Sequence, residues 1–463
     1  MSKTKYLIGG AAVIAALALT PLYVSSRVDA RLNETQKMLE SHGLKQEILS
    51  KSGYLTGTRT FSLEVSDAKK ARDFMLEILV AKNPQYTLFA QSLQAQTDSD
   101  INEALDGLSF QGVIVSSHLL PKDIYVSLAL AKLPKAIETE LNNEPNAAKV
   151  ILPLIAKGTL AFEMTFDIDQ KLKSLKMKDI KESLQLEEGT LDIDTSGHTL
   201  SLDEHSGVVQ GAFGIQKQNL GVKAPDFEVE SHLENLRYTF DYKDDFNNKG
   251  DLSLSSYRFL AKEPYSDVVF SLGGMNIASQ AQEVNKQINV KADYALKDIA
   301  FASSGEDAKL ETLTAMLALK GIEGTAIKKL QNDYNAMVLS GENANEQALI
   351  DDITALIRNG LQLDFNVALK RLSGMLTLKD VGLDTKVEIA KNDFNNRQSP
   401  LAVIGLLDIS SKLKMHKDDR ATLEALNLTA PADFELGRLE GDFYVYDIAF
   451  KKGVLSVNGQ AVQ

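Results

Sequence analysis

Across residues 159–296, apolar and polar residues alternate with a period of two in one run after another. Leu160, Phe162, Met164, Phe166 and Ile168 share one parity. Tyr238, Phe240 and Tyr242 do the same, as do Leu252 and Leu254, and then Ile288, Val290, Ala292, Tyr294 and Leu296. Side chains along a strand point to opposite faces in turn, so each run is a strand with one apolar face. Clusters such as Asn247-Asn248-Lys249-Gly250 separate the runs. Parallel neighbours need a crossover of a dozen or more residues, and these gaps are hairpin-sized. The pattern confines this stretch to an antiparallel meander.

The flanking regions mix strands and helices. Residues 54–65 alternate, with Leu55, Arg59, Phe61, Leu63 and Val65 on the inward parity. Arg59 is the odd member; its stem is expected to lie along the sheet and its head to reach water. Ser66 and Asp67 open a helix that ends at Asn83-Pro84, and 86–95 reads as a second short helix. Strands are expected at 107–116 and 124–131, and helices at 134–141 and 147–156. Leu310, Leu313, Leu317, Leu330, Tyr334, Met337, Leu349, Ile353 and Leu356 predict a helical insertion over 306–358. Strands resume at 361–369, 374–378 and 385–390. A helix at 418–428 then leads into a final hairpin of 443–450 with 455–457.

The N-terminus adds a different element. Residues 6–24 form an apolar run of 19, about 28 Å as a helix, which is long enough to cross a bilayer. A cleaved signal peptide and a retained anchor both fit this pattern. Ala16-Leu17-Ala18 is a small-x-small site, but apolar residues continue past it to Val24 and Pro21 follows closely. The anchor is the better reading. Lys3 and Lys5 put the N-terminus in the cytoplasm and the body outside, which in a bacterium means the inner membrane and the periplasm.

The expected fold class is therefore α+β and strand-dominated, a transmembrane helix followed by an elongated antiparallel sheet with helical insertions packed on it. Its segments are an anchor (1–31), a helical stalk (32–50), an α+β part (51–158), a β meander (159–305), a helical insertion (306–358) and a β-rich C-terminal part (359–463). A formal charge of −13 argues against a nucleic-acid partner. The absence of cysteine excludes disulfides and thiolate metal sites and suits an oxidising compartment.

Chemistry is sparse. The six histidines form no HExxH motif. His198 and His205, near Asp203 and Glu204, lack the three or four convergent ligands that zinc needs, and loop polarity accounts for them. Asp167 with Asp169, Asp192 with Asp194, and Asp241 with Asp244 and Asp245 are acid groupings that either hold a cation or, more simply, face solvent. The Ser66-x-x-Lys69 pattern falls on a helix start, where capping explains it. No nucleophile elbow, phosphate loop or dinucleotide fingerprint is present. No catalytic, cofactor or metal residue is assigned, and no cofactor is expected.

Several segments resemble a known family. They are 52–58 (Ser-Gly-Tyr-Leu-Thr-Gly-Thr), 107–112 (Gly-Leu-Ser-Phe-Gln-Gly), 127–134 (Ser-Leu-Ala-Leu-Ala-Lys-Leu-Pro), the Lys178-Asp179-Ile180 turn and 452–459 (Lys-Gly-Val-Leu-Ser-Val-Asn-Gly). Together with the anchor they resemble the YdgA-like family of bacterial inner-membrane-anchored proteins of uncharacterised function. That resemblance implies a β-rich body facing the periplasm and supplies no catalytic residue. Lys-Asp-Ile at 178–180 is echoed at 297–299 and, as Lys-Asp-Val, at 379–381, either as a duplicated unit or as reused turn chemistry. The expected function is non-enzymatic: a lipid or apolar partner held in a β-sheet groove. The alternatives are a scaffold that binds an envelope protein through 306–358 and a hydrolase using dispersed acids. The expected partners are the membrane, through 6–24, and a lipid or an envelope protein. The oligomeric state is left open.

Overall fold

The computed structural model describes residues 36–52, 56–82, 98–117, 123–167, 171–340, 346–374, 376–395, 400–420, 422 and 437–461. The expected anchor at 1–31 and the short helix at 86–95 lie outside these residues. Among the described residues no helix is long and apolar enough to cross a membrane. Strands dominate, and every registered pairing is antiparallel. The chain divides into two compact units: Met1–Asp203 with Ala212–Pro225, and Glu204–Gly211 with Asp226–Gln463.

The first unit opens with a helical turn at 36–41, then β1 (Leu44–Ser52), β2 (Thr56–Val65), helices α1 (Ala68–Lys82) and α2 (Asp98–Leu105), β3 (Ser109–Ser117) and β4 (Asp123–Lys132). Helices α3 (Lys135–Asn142) and α4 (Pro145–Ala156) follow. Next come β5 (Ala161–Asp167), β6 (Leu172–Met177), β7 (Ile180–Leu186), β8 (Gly189–Ser196), β9 (Thr199–His205) and β10 (Val208–Ala224), the hairpin tip Glu204–Gly211 of the last two being counted with the second unit. The helical stalk expected over 32–50 is corrected here. Gly43, at φ +76°, ends the helix, and β1 then pairs with β2 from Leu44↔Val65. Leu44 and Gln46 are buried and Lys45 and Glu47 exposed, so pairing overrides a helix-permissive composition.

Strands β1 to β6 form a meander in chain order. One face of it is filled. Phe61 and Leu63 of β2, Phe110 of β3 and Leu128 of β4 pack with Ala71 and Phe74 of α1, Ile101 and Leu105 of α2, and Leu141 of α3. The expected exit of Arg59 to water is also corrected. β2 lies between β1 and β3, and Arg59 is only 5% exposed, with its Nε and Nη1 buried.

The second unit is a longer meander. It contains β11 (Phe227–Asp244), β12 (Asn247–Leu254), β13 (Ser256–Glu263), β14 (Ser266–Val284), β15 (Gln287–Ser303) and β16 (Glu306–Glu323). Helices α5 (Gly324–Ser340) and α6 (Glu346–Asn359) lead to β17 (Leu361–Ser373), β18 (Leu378–Ile389) and β19 (Leu407–His416). The chain then forms β20 (Arg438–Glu440), β21 (Phe443–Lys451), β22 (Val454–Val457) and β23 (Gln460–Ala461).

The helical insertion at 306–358 shrinks to α5 and α6, because 306–323 is strand β16 between β15 and β17. The sequence misleads here for a simple reason. Leu313 and Leu317 are four apart, and four fits both a helix face and a strand face. The strand expected at 374–378 is instead a break between β17 and β18, and β19 appears where none was expected. The helix expected at 418–428 begins as a 3-10 turn at Lys417–Asp419, and most of its remainder lies outside the described residues.

A crease crosses this meander. Asp298 in β15 sits at φ +50° opposite Gly273 of β14, and Arg371 in β17 sits at φ +49° opposite Glu311 of β16. Arg371 and Glu311 form an ion pair at 2.7 Å. On the far side of Arg371, Lys379 donates its backbone N–H to the buried Asp419 at 2.7 Å, and Asp380 does so at 3.0 Å. The break between β12 and β13 at Ser255 and Asn235 of β11, at φ +52°, continue the line. One residue out of the extended path shifts the alternation of its strand by one. The apolar positions shift with it, from 288–296 even to Ile299 and Phe301, and from Leu310 to Leu313 through Leu319 odd. In the first unit Asp179, which accepts from Gly197 N at 3.0 Å, marks the equivalent break between β6 and β7. Of the three Lys-Asp echoes, Asp298 sits at positive φ in the crease, a conformation Asp tolerates, whereas Asp179 joins β6 to β7 and Asp380 lies within β18.

Candidate apolar binding face

The register of the second unit aligns its apolar positions into rows across the strands. One row runs Tyr238, Leu252, Ile277, Tyr294, Ala315, Val367, Leu383, Leu413 and Tyr446, from β11 to β21. The next joins Met275, Leu296, Leu313, Leu369, Val381 and Met415. Two residues further along the strands, Ala292, Leu317 and Phe365 align, followed by Val290, Leu319, Leu363, Val387, Ile409 and Phe450. Eight strand steps of about 4.8 Å make the face about 38 Å wide, and six residues at about 3.3 Å make it about 20 Å deep.

The opposite parity is charged and paired. Lys291 meets Asp293 at 2.7 Å, Lys320 meets Asp364 at 2.5 Å, and Lys451 meets Asp408 at 3.1 Å. Water suits that side, so the apolar rows are the side that needs cover. Cover is incomplete among the described residues. Tyr294 is 43% exposed, Leu317 39% and Tyr238 38%. The cluster around Met415, Tyr446 and Val457 is buried, and so are Ile288 and Ile389, two residues beyond the Val290–Phe450 row.

The two helices do not close it. Lys329 of α5 reaches the buried Asp352 of α6 at 2.5 Å, and Glu323 accepts from Ala326 N at 2.6 Å to cap α5. Gly324 N donates to Lys286 O, which fixes the start of α5 at the turn between β14 and β15. Ile350 and Ile353, three apart on α6, remain exposed.

The polar residues singled out in the sequence do not converge. Asp194 is paired with Lys217 at 2.6 Å and lies beside Asp192 on β8. Asp167 accepts from Lys171 N at 2.8 Å in a turn, and Asp169 lies outside the described residues. Asp244 accepts from Phe246 N and Asn247; burial opposes its charge, but these hydrogen bonds outweigh it and hold its pKa below the usual carboxylate value. Tyr242 donates to Asp245. His198 has its pKa lowered by burial, against the pull of Asp179, and its Nε2 has no partner. Asp67 caps α1 through Lys70 N at 3.1 Å, as expected of the Ser66-x-x-Lys69 stretch. No grouping of three or more potential metal ligands occurs among the described residues.

Sequence reasoning missed the full extent of the apolar face because it followed each run only to the crease. The shift of parity between Leu296 and Ile299, repeated in every neighbouring strand, was the available signal. The family DUF945, described as a bacterial protein of unknown function, matches residues 1–430. No curated protein and no solved structure matches the chain. The chain belongs to the DUF945 family.

Proposed function

We propose that this DUF945 chain is a non-enzymatic envelope protein that holds lipid acyl chains on the apolar face of its second unit. The observation that carries the reading is the aligned apolar rows from β11 to β21, in which Tyr238, Tyr294 and Leu317 stand half-exposed, backed by paired charges on the other side. Acyl chains need area without directional partners, and this face offers area and almost no buried polar group. The width of about 38 Å exceeds an extended acyl chain of sixteen carbons, about 17 Å by the same per-bond reach as a strand. In this reading residues 6–24 keep the body at the bacterial inner membrane, N-terminus in the cytoplasm and body in the periplasm, next to its lipid source. The YdgA-like resemblance of the short motifs belongs to the same reading.

Photocrosslinking tests it. A photoreactive amino acid at Tyr294 or Leu317 is expected to capture lipid in cells, and the same group at Lys291 or Asp364, on the charged side, is not. Equal labelling from both faces, or capture of protein alone, sinks the reading. A second reading is favoured by Ile350 and Ile353, whose exposed pair on α6 suits an envelope protein partner. Ile350→Asp with Ile353→Asp then abolishes a crosslinked partner while lipid capture at Leu317 persists.

A further inference from the structure

Two hydroxyls stand within the apolar face of the second unit. Thr385 of β18 and Ser411 of β19 are opposite each other in the register and share a hydrogen bond of 2.9 Å. The positions around them on the same side are apolar. Leu383 and Leu413 lie in one adjoining row, Val387 and Ile409 in the other, and Phe365 of β17 and Ile448 of β21 flank the pair within its own row. Both hydroxyl residues are half-buried, so the face leaves them within reach of a molecule lying on it. Valine would fill the position of Thr385 equally well, and a hydroxyl under an apolar ligand costs free energy unless it is hydrogen-bonded.

Each hydroxyl has one O–H donor and two acceptor lone pairs, and the bond between them uses a single O–H. The pair can offer its second O–H to an acceptor on the face. An acyl ester brings such an acceptor, its carbonyl oxygen, at the head of an apolar chain. The rows set the direction of that chain. Neighbours within a row are about 4.8 Å apart and successive rows about 6.6 Å apart, so the furrows between rows run across the strands. From Thr385 the row passes Phe365 and Leu317 to Ala292 and Ser279, about 19 Å in all. Beyond Ser279 comes Gly250, where the Tyr238 hydroxyl stands 2.9 Å from the position a Cβ would take and closes the row. A chain of sixteen carbons, about 17 Å long, fits between the hydroxyl pair and that ring. We propose that Thr385 and Ser411 hold the ester carbonyl of a glycerolipid on this face and so select acyl esters over chains without a carbonyl. The proposal rests on the reading of the face as a lipid surface.

The test places a photoreactive amino acid at Leu317 of the full chain in a non-ionic maltoside. It offers radiolabelled dipalmitoyl phosphatidylcholine or the dihexadecyl ether analogue, which differs only in lacking the ester carbonyls. The chain with both hydroxyls is expected to capture the ester about fivefold better than the ether, the difference one neutral hydrogen bond makes. Thr385→Val with Ser411→Ala is expected to capture both at the lower, ether level, which also shows that the variant is folded. Thr385→Ser keeps both hydroxyls and retains the preference. Equal capture of ester and ether at Leu317, with none from the same group at Lys291, leaves the lipid surface standing and overturns the role of the hydroxyls. A double variant that keeps the preference overturns it too. So does one that loses both lipids together, since the pair then only braces β18 against β19. No capture of either lipid at Leu317 removes the lipid surface itself, and the proposal with it.

Discussion

Gly112 is the position where the packing of the first unit is most exposed to test. It lies on β3 between Phe61 of β2 and Leu128 of β4, both essentially inaccessible to solvent. A Cβ added there would stand 2.3 Å from Phe61 Cζ and 2.8 Å from the carbonyl oxygen of Ser127. The ring can yield only by moving into a filled core, and the Ser127 carbonyl is held in the sheet. Overpacking of this kind costs about 1–3 kcal/mol, and the loss of glycine's unfolded-state freedom returns about 0.4–1 kcal/mol. Two contacts inside van der Waals range place Gly112→Ala near about 2 kcal/mol net, which at about 2–4 °C per kcal/mol lowers the midpoint by about 4–8 °C. Differential scanning calorimetry measures it directly, since the chain has no tryptophan to follow by fluorescence. A double-mutant cycle with Phe61→Leu isolates the ring. Gly112→Ala should cost at least about 1 kcal/mol less in that background, the remainder coming from Ser127. A cost below about 0.5 kcal/mol, or an equal cost in both backgrounds, refutes the idea that Phe61 is seated over the glycine.

Two further outcomes follow from the second unit. Asp298→Val should destabilise by about 1–2 kcal/mol while Asp298→Gly is neutral, because φ +50° strains a β-branched residue and not glycine; urea unfolding of the pair checks it. Asp364 has its pKa held below 3.8 by the hydrogen bond from Lys320. Its folded value lies below its unfolded one, so its contribution is present above about pH 3.8 and fades as pH falls through the folded value. Urea midpoints measured across that window should fall less steeply for Asp364→Asn than for wild type, and parallel curves would contradict the assignment.

The residue-level readings divide along a clear line. Strand character was legible where alternation was long and separated by turn residues, as in 238–242 and 288–296, because period two records which face is buried. The α1 cap at Asp67 was legible too, being local. β16 was not, since spacings of four serve helix and strand alike. β1 was not, since its Gln and Glu residues acquire strand geometry only by pairing with β2. The expected exit of Arg59 failed because a side chain's route to water depends on which strands flank it, and strand neighbours are not written in a local window.

What the sequence determined by itself was therefore the kind of element and the side it buries: antiparallel strands, apolar on one parity, separated by turn residues. Tertiary structure alone decided what lies over each apolar side. In the first unit four helices fill it, with Phe61 and Leu128 sealed inside. In the second the described helices leave Tyr294 and Leu317 half in water. The physical reason is that alternation encodes a preference for burial, whereas the partner that provides burial is chosen by contacts between residues far apart in the chain.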